Sequence, residues 1–139
     1  MQTSGRGGFH HIDLNVSDLG TAKPVYALVL EFLGYKMVKD DPNGCEWDLE
    51  CGRGRVSLGL RPARSEDRKY AHRRYAPGLH HMAWQASSRN EVDALHRLMV
   101  TAGIPILDAP AHYPEYSPTY YAVFFEDPDG MKLEVLHED

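Results

Sequence analysis

At 139 residues, 42% hydrophobic and 25% charged, the chain has the composition of a water-soluble globular protein with one sizeable core. A net charge of −5 offers no basic surface for nucleic acid or an anionic membrane, and no apolar run approaches the roughly 20 residues that span a bilayer. The lead-in MQTSGRGGF lacks the apolar core of a signal peptide, so a cytoplasmic location is expected. Cys45 and Cys51 then read as buried free thiols in a reducing compartment.

Residues 9–16 place Ile12, Leu14 and Val16 on one face and His11, Asp13 and Asn15 on the other, the period of a half-buried strand. A helix is predicted over 21–33, with Tyr26, Leu30 and Leu33, joined by Val25, Val29 and Phe32, as its buried stripe. Pro24 reads as part of its first turn and Gly34 as its stop. Strands at 35–39, 45–51 and 54–61 follow, the last two joined by a hairpin at Gly52-Arg53-Gly54. Residues 61–77 carry six basic residues and no regular period. They read as a solvated linker, the alternative being a basic flap that brings Arg73 or Arg74 over an anionic ligand. A strand at 79–86 leads to a capping box at Ser88-Arg89-Asn90-Glu91. The helix it opens runs to about 102, buries Val92, Leu95, Leu98 and Met99, and stops at Gly103. Strands at 104–107, 119–126 and 131–137 complete the chain, with 108–118 irregular and a turn at Asp127-Pro128-Asp129-Gly130.

The segment GFHHIDLNVS at 8–17 returns as GLHHMAWQAS at 78–87. Each half therefore reads β-α-β-β-β, an α+β fold of two modules in a single domain: module one about 9–61, a linker about 62–77, module two about 78–137. Strand parity selects among the histidines. His11 and His81 oppose the apolar faces of their strands, and Glu134 opposes Met131, Leu133 and Val135. His10 and His80 share parity with the apolar residues and are expected to pack at the strand ends. Two imidazoles and a carboxylate form the ligand set of a facial triad for Fe(II), Mn(II), Ni(II) or Zn(II); the alternative is that they are ordinary polar groups on an exposed sheet face. Asp13, Asn15 and Gln85 share the histidine parity and are candidates to orient ligands or substrate.

The doubled plan, the HHI and HHM openings and the segment DPDGMKLEV resemble the vicinal oxygen chelate superfamily over about residues 9–137. That superfamily groups glyoxalase I, extradiol dioxygenases, fosfomycin-resistance thiol transferases and bleomycin-resistance proteins. The resemblance implies two modules pairing, either within one chain or across a dimer with modules exchanged, into a curved mixed sheet around a metal site. His11 and His81 match its first-strand ligands, and Glu134 matches the last-strand ligand of the second module. One divalent metal ion (Fe, Mn, Ni or Zn) is the implied cofactor. In the last strand of the first module, GRVSLGL, Gly59 stands where glyoxalase I carries a glutamate, between Ser57 and Arg61 on the same face. The glutathione-dependent isomerisation in its familiar arrangement is therefore not implied. In the strand before the DPDG turn, turn length decides whether Tyr120 and Phe124 or Tyr121 and Val123 face inward; the resemblance favours Tyr120 and Phe124, which with Arg61 complete the expected pocket. No residue is marked as the acid/base.

A metal-dependent enzyme acting on a small oxygen-bearing substrate follows, by lyase, isomerase, transferase or dioxygenase chemistry, with a homodimer as its assembly. The alternative is a non-catalytic binder like the bleomycin-resistance proteins, its aromatic crevice furnished by Tyr113, Tyr116, Tyr120, Trp47 and Phe124.

Overall fold

The repeat in the sequence is also a repeat of topology. The computed structural model describes residues 6–52 and 54–139, which form two compact units, one running to Lys69 and the other beginning at Tyr70. The first holds β1 (His11–Val16), α1 (Leu19–Phe32), β2 (Lys36–Asp41), β3 (Gly44–Cys51) and β4 (Gly54–Pro62). The second holds β5 (His81–Gln85), α2 (Arg89–Thr101), β6 (Ile106–His112), β7 (Tyr121–Glu126) and β8 (Lys132–His137). Each makes a four-stranded mixed sheet, ordered β1-β4-β3-β2 and β5-β8-β7-β6. In both, the last three strands are an antiparallel meander and the first strand pairs parallel with the last. A parallel pair needs a crossover, and the helix supplies it. The α+β class with two β-α-β-β-β modules is thus what the chain forms.

Each helix covers one face of its own sheet. Ala22, Tyr26, Val29 and Leu30 of α1 are buried, as are Leu14, Val16, Trp47, Leu58 and Leu60 of the sheet it packs on. In the second unit Val92, Leu95 and Met99 of α2 join Val123, Phe125, Leu133 and Val135. Full burial of such side chains contributes about 1.5–3 kcal/mol each. That fixes which face of every strand points inward, and it leaves the other face free to carry polar chemistry. Both helices are capped at each end. Asp18 accepts from Gly20 N–H at 2.8 Å and Ser88 from Glu91 N–H at 3.1 Å. Gly34 (φ +99°) and Gly103 (φ +76°) close Schellman turns, with Tyr35 N–H donating to the Leu30 carbonyl and Ile104 N–H to that of Met99.

Several details differ from the sequence reading. Helix α1 starts at Leu19, so Pro24 lies in its second turn, where it is exposed. Leu33, Val25 and Phe32 are half-buried rather than core, and Leu98 is 47% exposed because α2 turns a narrower stripe inward. Both cysteines are free, yet only Cys45 is buried; Cys51 ends β3 and is exposed. The segment 108–118, expected to be irregular, contains most of β6. Its pairing with β7 slips between Ile106 and Asp108 and again between Asp108 and Ala111, around Pro110. A bulged strand shows no period of two. Arg53, which the sequence puts in the Gly52-Arg53-Gly54 hairpin, lies outside the described residues. Among the described residues no helix is long and apolar enough to cross a membrane.

Candidate functional site

The Asp127-Pro128-Asp129-Gly130 turn sets the geometry of the second unit. Asp127 is 2% exposed, and its Oδ1 accepts from the N–H groups of Asp129 and Met131, each at 2.9 Å. Gly130 takes the positive φ (+81°) that this tight return requires. The register it fixes pairs Phe124 with Glu134 across β7 and β8, and Ala83 with Glu134 across β5 and β8. Glu134 therefore shares a face with Phe124, His81 and Gln85, away from α2.

On that face Glu134 is only 2% exposed and both its oxygens are engaged. Oε1 lies 3.3 Å from His81 Nε2, and Oε2 accepts a hydrogen bond from the Tyr120 hydroxyl. Burial, reinforced by that bond, raises the Tyr120 pKa, so the hydroxyl stays protonated and remains a hydrogen-bond donor throughout the physiological range. Next to it is an aromatic cluster. Tyr113 stacks on Tyr116 (5.7 Å between centroids) and meets Phe124 edge-on (5.4 Å), while Tyr116 meets Tyr120 edge-on (5.1 Å). The Lys132 ammonium sits 4.4 Å from the Phe124 ring centroid. Tyr121 points the other way, toward α2, where its hydroxyl donates to Asp93 at 2.5 Å.

In the first unit, parallel pairing sets His11 beside Ser57, Asp13 beside Gly59 and Asn15 beside Arg61. All six lie on the face turned away from α1. The Asp13 carboxylate crosses over Gly59, where Oδ1 occupies the space that a side chain there would need. It also pairs with Arg61 at 3.6 Å, at a half-exposed position. Ser57 donates to Asp48 Oδ1 at 2.6 Å. A cleft of about 520 Å³ in this unit is lined by Phe9, His10, Glu50 and Arg55 among others.

The two histidine pairs behave alike. His10 Nδ1 stands 2.9 Å from His11 Nδ1, and His80 Nδ1 stands 2.7 Å from His81 Nδ1. The rings meet edge-on in both, at 86° and 73°. His10 and His80 are thus not the strand-end packing groups that parity suggested. Both precede their strands, both are exposed, and each is spent on its neighbour. Desolvation, with His81, Lys132 and Arg74 nearby, lowers the His80 pKa.

The structure gathers His81, Glu134, Tyr120 and Phe124 in the second unit, with Gln85 exposed further along β5. In the first unit it aligns His11, Asp13, Asn15 and Arg61 on one face. Trp47, expected in an aromatic crevice, is fully buried because its parity on β3 turns it toward α1. Among the described residues no three His, Cys, Asp or Glu side chains gather as a metal cluster; the second unit brings two of the expected donors together.

Residues 8–135 match the Glyoxalase/Bleomycin resistance protein/Dioxygenase superfamily. The chain belongs to that superfamily. It is 32% identical over 127 residues to YqjT of Bacillus subtilis (strain 168), an uncharacterised protein, covering 91% of this chain and 96% of that one. A Bacillus halodurans protein provisionally described as a glyoxalase shares its fold with a TM-score of 0.80 and 28% identity, over 96% of this chain and 98% of that one. The lactoylglutathione lyase of Agrobacterium tumefaciens is similar in fold at a TM-score of 0.63 and 21% identity, over 96% of each chain.

Against this superfamily background, two features escaped the sequence reading. The Tyr120–Glu134 bond joins residues fourteen apart through a β-turn register that parity alone leaves open. The histidine pairing arises because the first residue of each pair lies outside its strand, where alternation no longer applies.

Proposed function

We propose that this glyoxalase-superfamily chain is a divalent-metal-dependent enzyme for a small oxygen-bearing substrate, with His11, His81 and Glu134 as the metal ligands. The observation that carries this reading is the convergence of His81 Nε2 and Glu134 Oε1 at 3.3 Å on a carboxylate that is 2% exposed. Two donors about 2.1 Å from one ion, at angles of roughly 90–110°, stand about 3.0–3.4 Å apart, so the pair has the separation of two ligands sharing an ion. His11 occupies in β1 the place His81 occupies in β5, at the head of the strand that runs parallel to the last of its module.

When bound, the ion supplies a Lewis acid for negative charge on a substrate oxygen. The chain's residues prepare the place. Tyr120 holds Glu134 Oε2 and leaves Oε1 available. Phe124 and Tyr113 form an apolar wall that limits water, and Lys132 offers a cation beside Phe124 to an anionic substrate group. Tyr120, protonated across the working range, keeps its hydroxyl proton on Glu134 Oε2 and so serves to hold that carboxylate in place. The test is titration of Zn(II) and Co(II) into wild type, His11→Ala, His81→Ala and Glu134→Gln, with circular dichroism to verify folding. Wild type is expected to take up one ion per chain, each variant losing more than the roughly 10–100-fold that a supporting residue is worth. Equal retention in all four would reject the reading. A homodimer is part of the proposal, and light scattering that finds only monomer at micromolar concentration would remove it.

A second reading, ligand sequestration without catalysis, is favoured by the stacked Tyr113–Tyr116 pair, with Tyr116 62% exposed. Stoichiometric binding of an aromatic ligand that is indifferent to chelators would support it over the first.

A further inference from the structure

The Nδ1–Nδ1 contacts have a chemical consequence. Two ring nitrogens 2.7–2.9 Å apart share one proton, since two lone pairs repel and two N–H groups collide. Adjacent residues within a strand point to opposite faces, so neighbouring rings do not meet by default. Here they meet in both modules, because β1 and β5 begin only at the second histidine of each pair. The His10 carbonyl accepts from Ser57 N–H at 2.9 Å, which ties its backbone to β4. The Tyr75 ring stands edge-on to His80 with 5.4 Å between centroids.

Resting on the metal-centre reading above, we propose that His10 and His80 are positioning residues, each accepting the Nδ1 proton of the next histidine and so presenting that ring to the metal through a bare Nε2. Only this arrangement is compatible with ligation. In the reverse one, His10 or His80 donates, and the Nε2 of His11 or His81 keeps its proton. With no ion bound, an Nε2–H on His81 would satisfy Glu134 Oε1 at 3.3 Å, with His80 donating to His81 Nδ1. For His81 to hold an ion through Nε2, the proton shared by the pair would have to sit on His81 Nδ1 instead of His80 Nδ1. The Nε2 proton of His81 leaves for solvent, and His80 takes a solvent proton at its own Nε2. Each ring ends neutral with one proton, as it began. In the first unit His10 stands to His11 as His80 does to His81, with the two Nδ1 atoms 2.9 Å apart. The device is a tautomer lock installed twice by the repeated His-His dipeptide.

The test is NMR of the full chain carrying ¹⁵N-labelled histidine, with and without Zn(II), together with Zn(II) affinities of His80→Phe, His80→Asn and the same two changes at His10. The loaded wild type is expected to show Nδ1–H with Nε2 ligation at His11 and His81, and Nε2–H at His10 and His80. The phenylalanine variants should bind Zn(II) about 10–100-fold more weakly. The asparagine variants, whose Oδ1 stands where the histidine Nδ1 stood, should recover most of that loss. Ligation through Nδ1, or full affinity in both phenylalanine variants, overturns this assignment while leaving the metal centre intact. A wild type that binds no Zn(II) overturns the metal centre and this assignment with it.

Discussion

Replacing Gly59 with alanine puts a methyl group into the space held by Asp13 Oδ1, with Asp13 Cγ at 3.6 Å and the Cys45 carbonyl oxygen at 3.7 Å. The obstacle is the end of a side chain that is 42% exposed, so it can swing out. The cost then has two parts. One is the ion pair with Arg61, 3.6 Å long with the arginine side chain 65% exposed, worth about 0–1 kcal/mol after solvent screening. The other is a displaced Asp13 rotamer, about 0.5–1.5 kcal/mol. The two add to about 0.5–2.5 kcal/mol, and the smaller backbone entropy of unfolded alanine gives back about 0.4–1 kcal/mol, so Gly59→Ala should destabilise by up to about 2 kcal/mol. In an Asp13→Ala background the obstacle is gone, and the smaller backbone entropy of unfolded alanine makes the same change neutral or stabilising by up to about 1 kcal/mol. Urea unfolding of the four proteins gives the coupling energy directly. An equal cost of Gly59→Ala in both backgrounds would refute the argument and point to the Cys45 carbonyl instead.

Gly44→Ala should be worse, by about 2–3 kcal/mol, because its methyl would meet the Leu60 backbone oxygen at 2.5 Å at φ +151°, and no side-chain truncation should rescue it. Ser88→Ala removes the cap accepting from Glu91 N–H and should cost about 1 kcal/mol in thermal or urea unfolding. Tyr121 has a raised pKa, from its hydrogen bond to Asp93 and then from burial. The folded state thus keeps a proton that the unfolded chain loses near pH 10, so this stabilisation is complete below about pH 10 and declines above it. Unfolding measured from pH 8 to 11 should show a shallower alkaline decline in Tyr121→Phe; an unchanged slope would contradict it. Zn(II) at a hundredfold excess over its Kd should stabilise wild type by about 2.7 kcal/mol and Glu134→Gln far less.

The fold was legible where alternation is clean. Ile12, Leu14 and Val16 in β1 and Leu133 and Val135 in β8 assign both faces unaided, and the buried sets agree for Leu14, Val16, Leu133 and Val135. Capping chemistry located α2 to within a residue at Ser88. Strand β6 was hidden because Pro110 and two register slips erase its periodicity. The ring contacts of His10 with His11 and of His80 with His81 were hidden because parity holds only inside a strand and cannot tell where the strand begins. The Tyr120–Glu134 bond depended on the length of the DPDG turn, which the Asp127 hydrogen bonds decide.

Each histidine-bearing strand, β1 and β5, stands at the end of its sheet's order. Such strands are held by one neighbour and are the first to part from a sheet by local opening. A metal gripped by His11 and His81 would bind only the docked strands, so its binding free energy would oppose their opening. Amide hydrogen exchange in residues 11–16 and 81–85 then becomes a gauge of occupancy. Protection should rise there on loading, well before the global unfolding free energy changes the exchange of Leu58 or Val135 in the central strands.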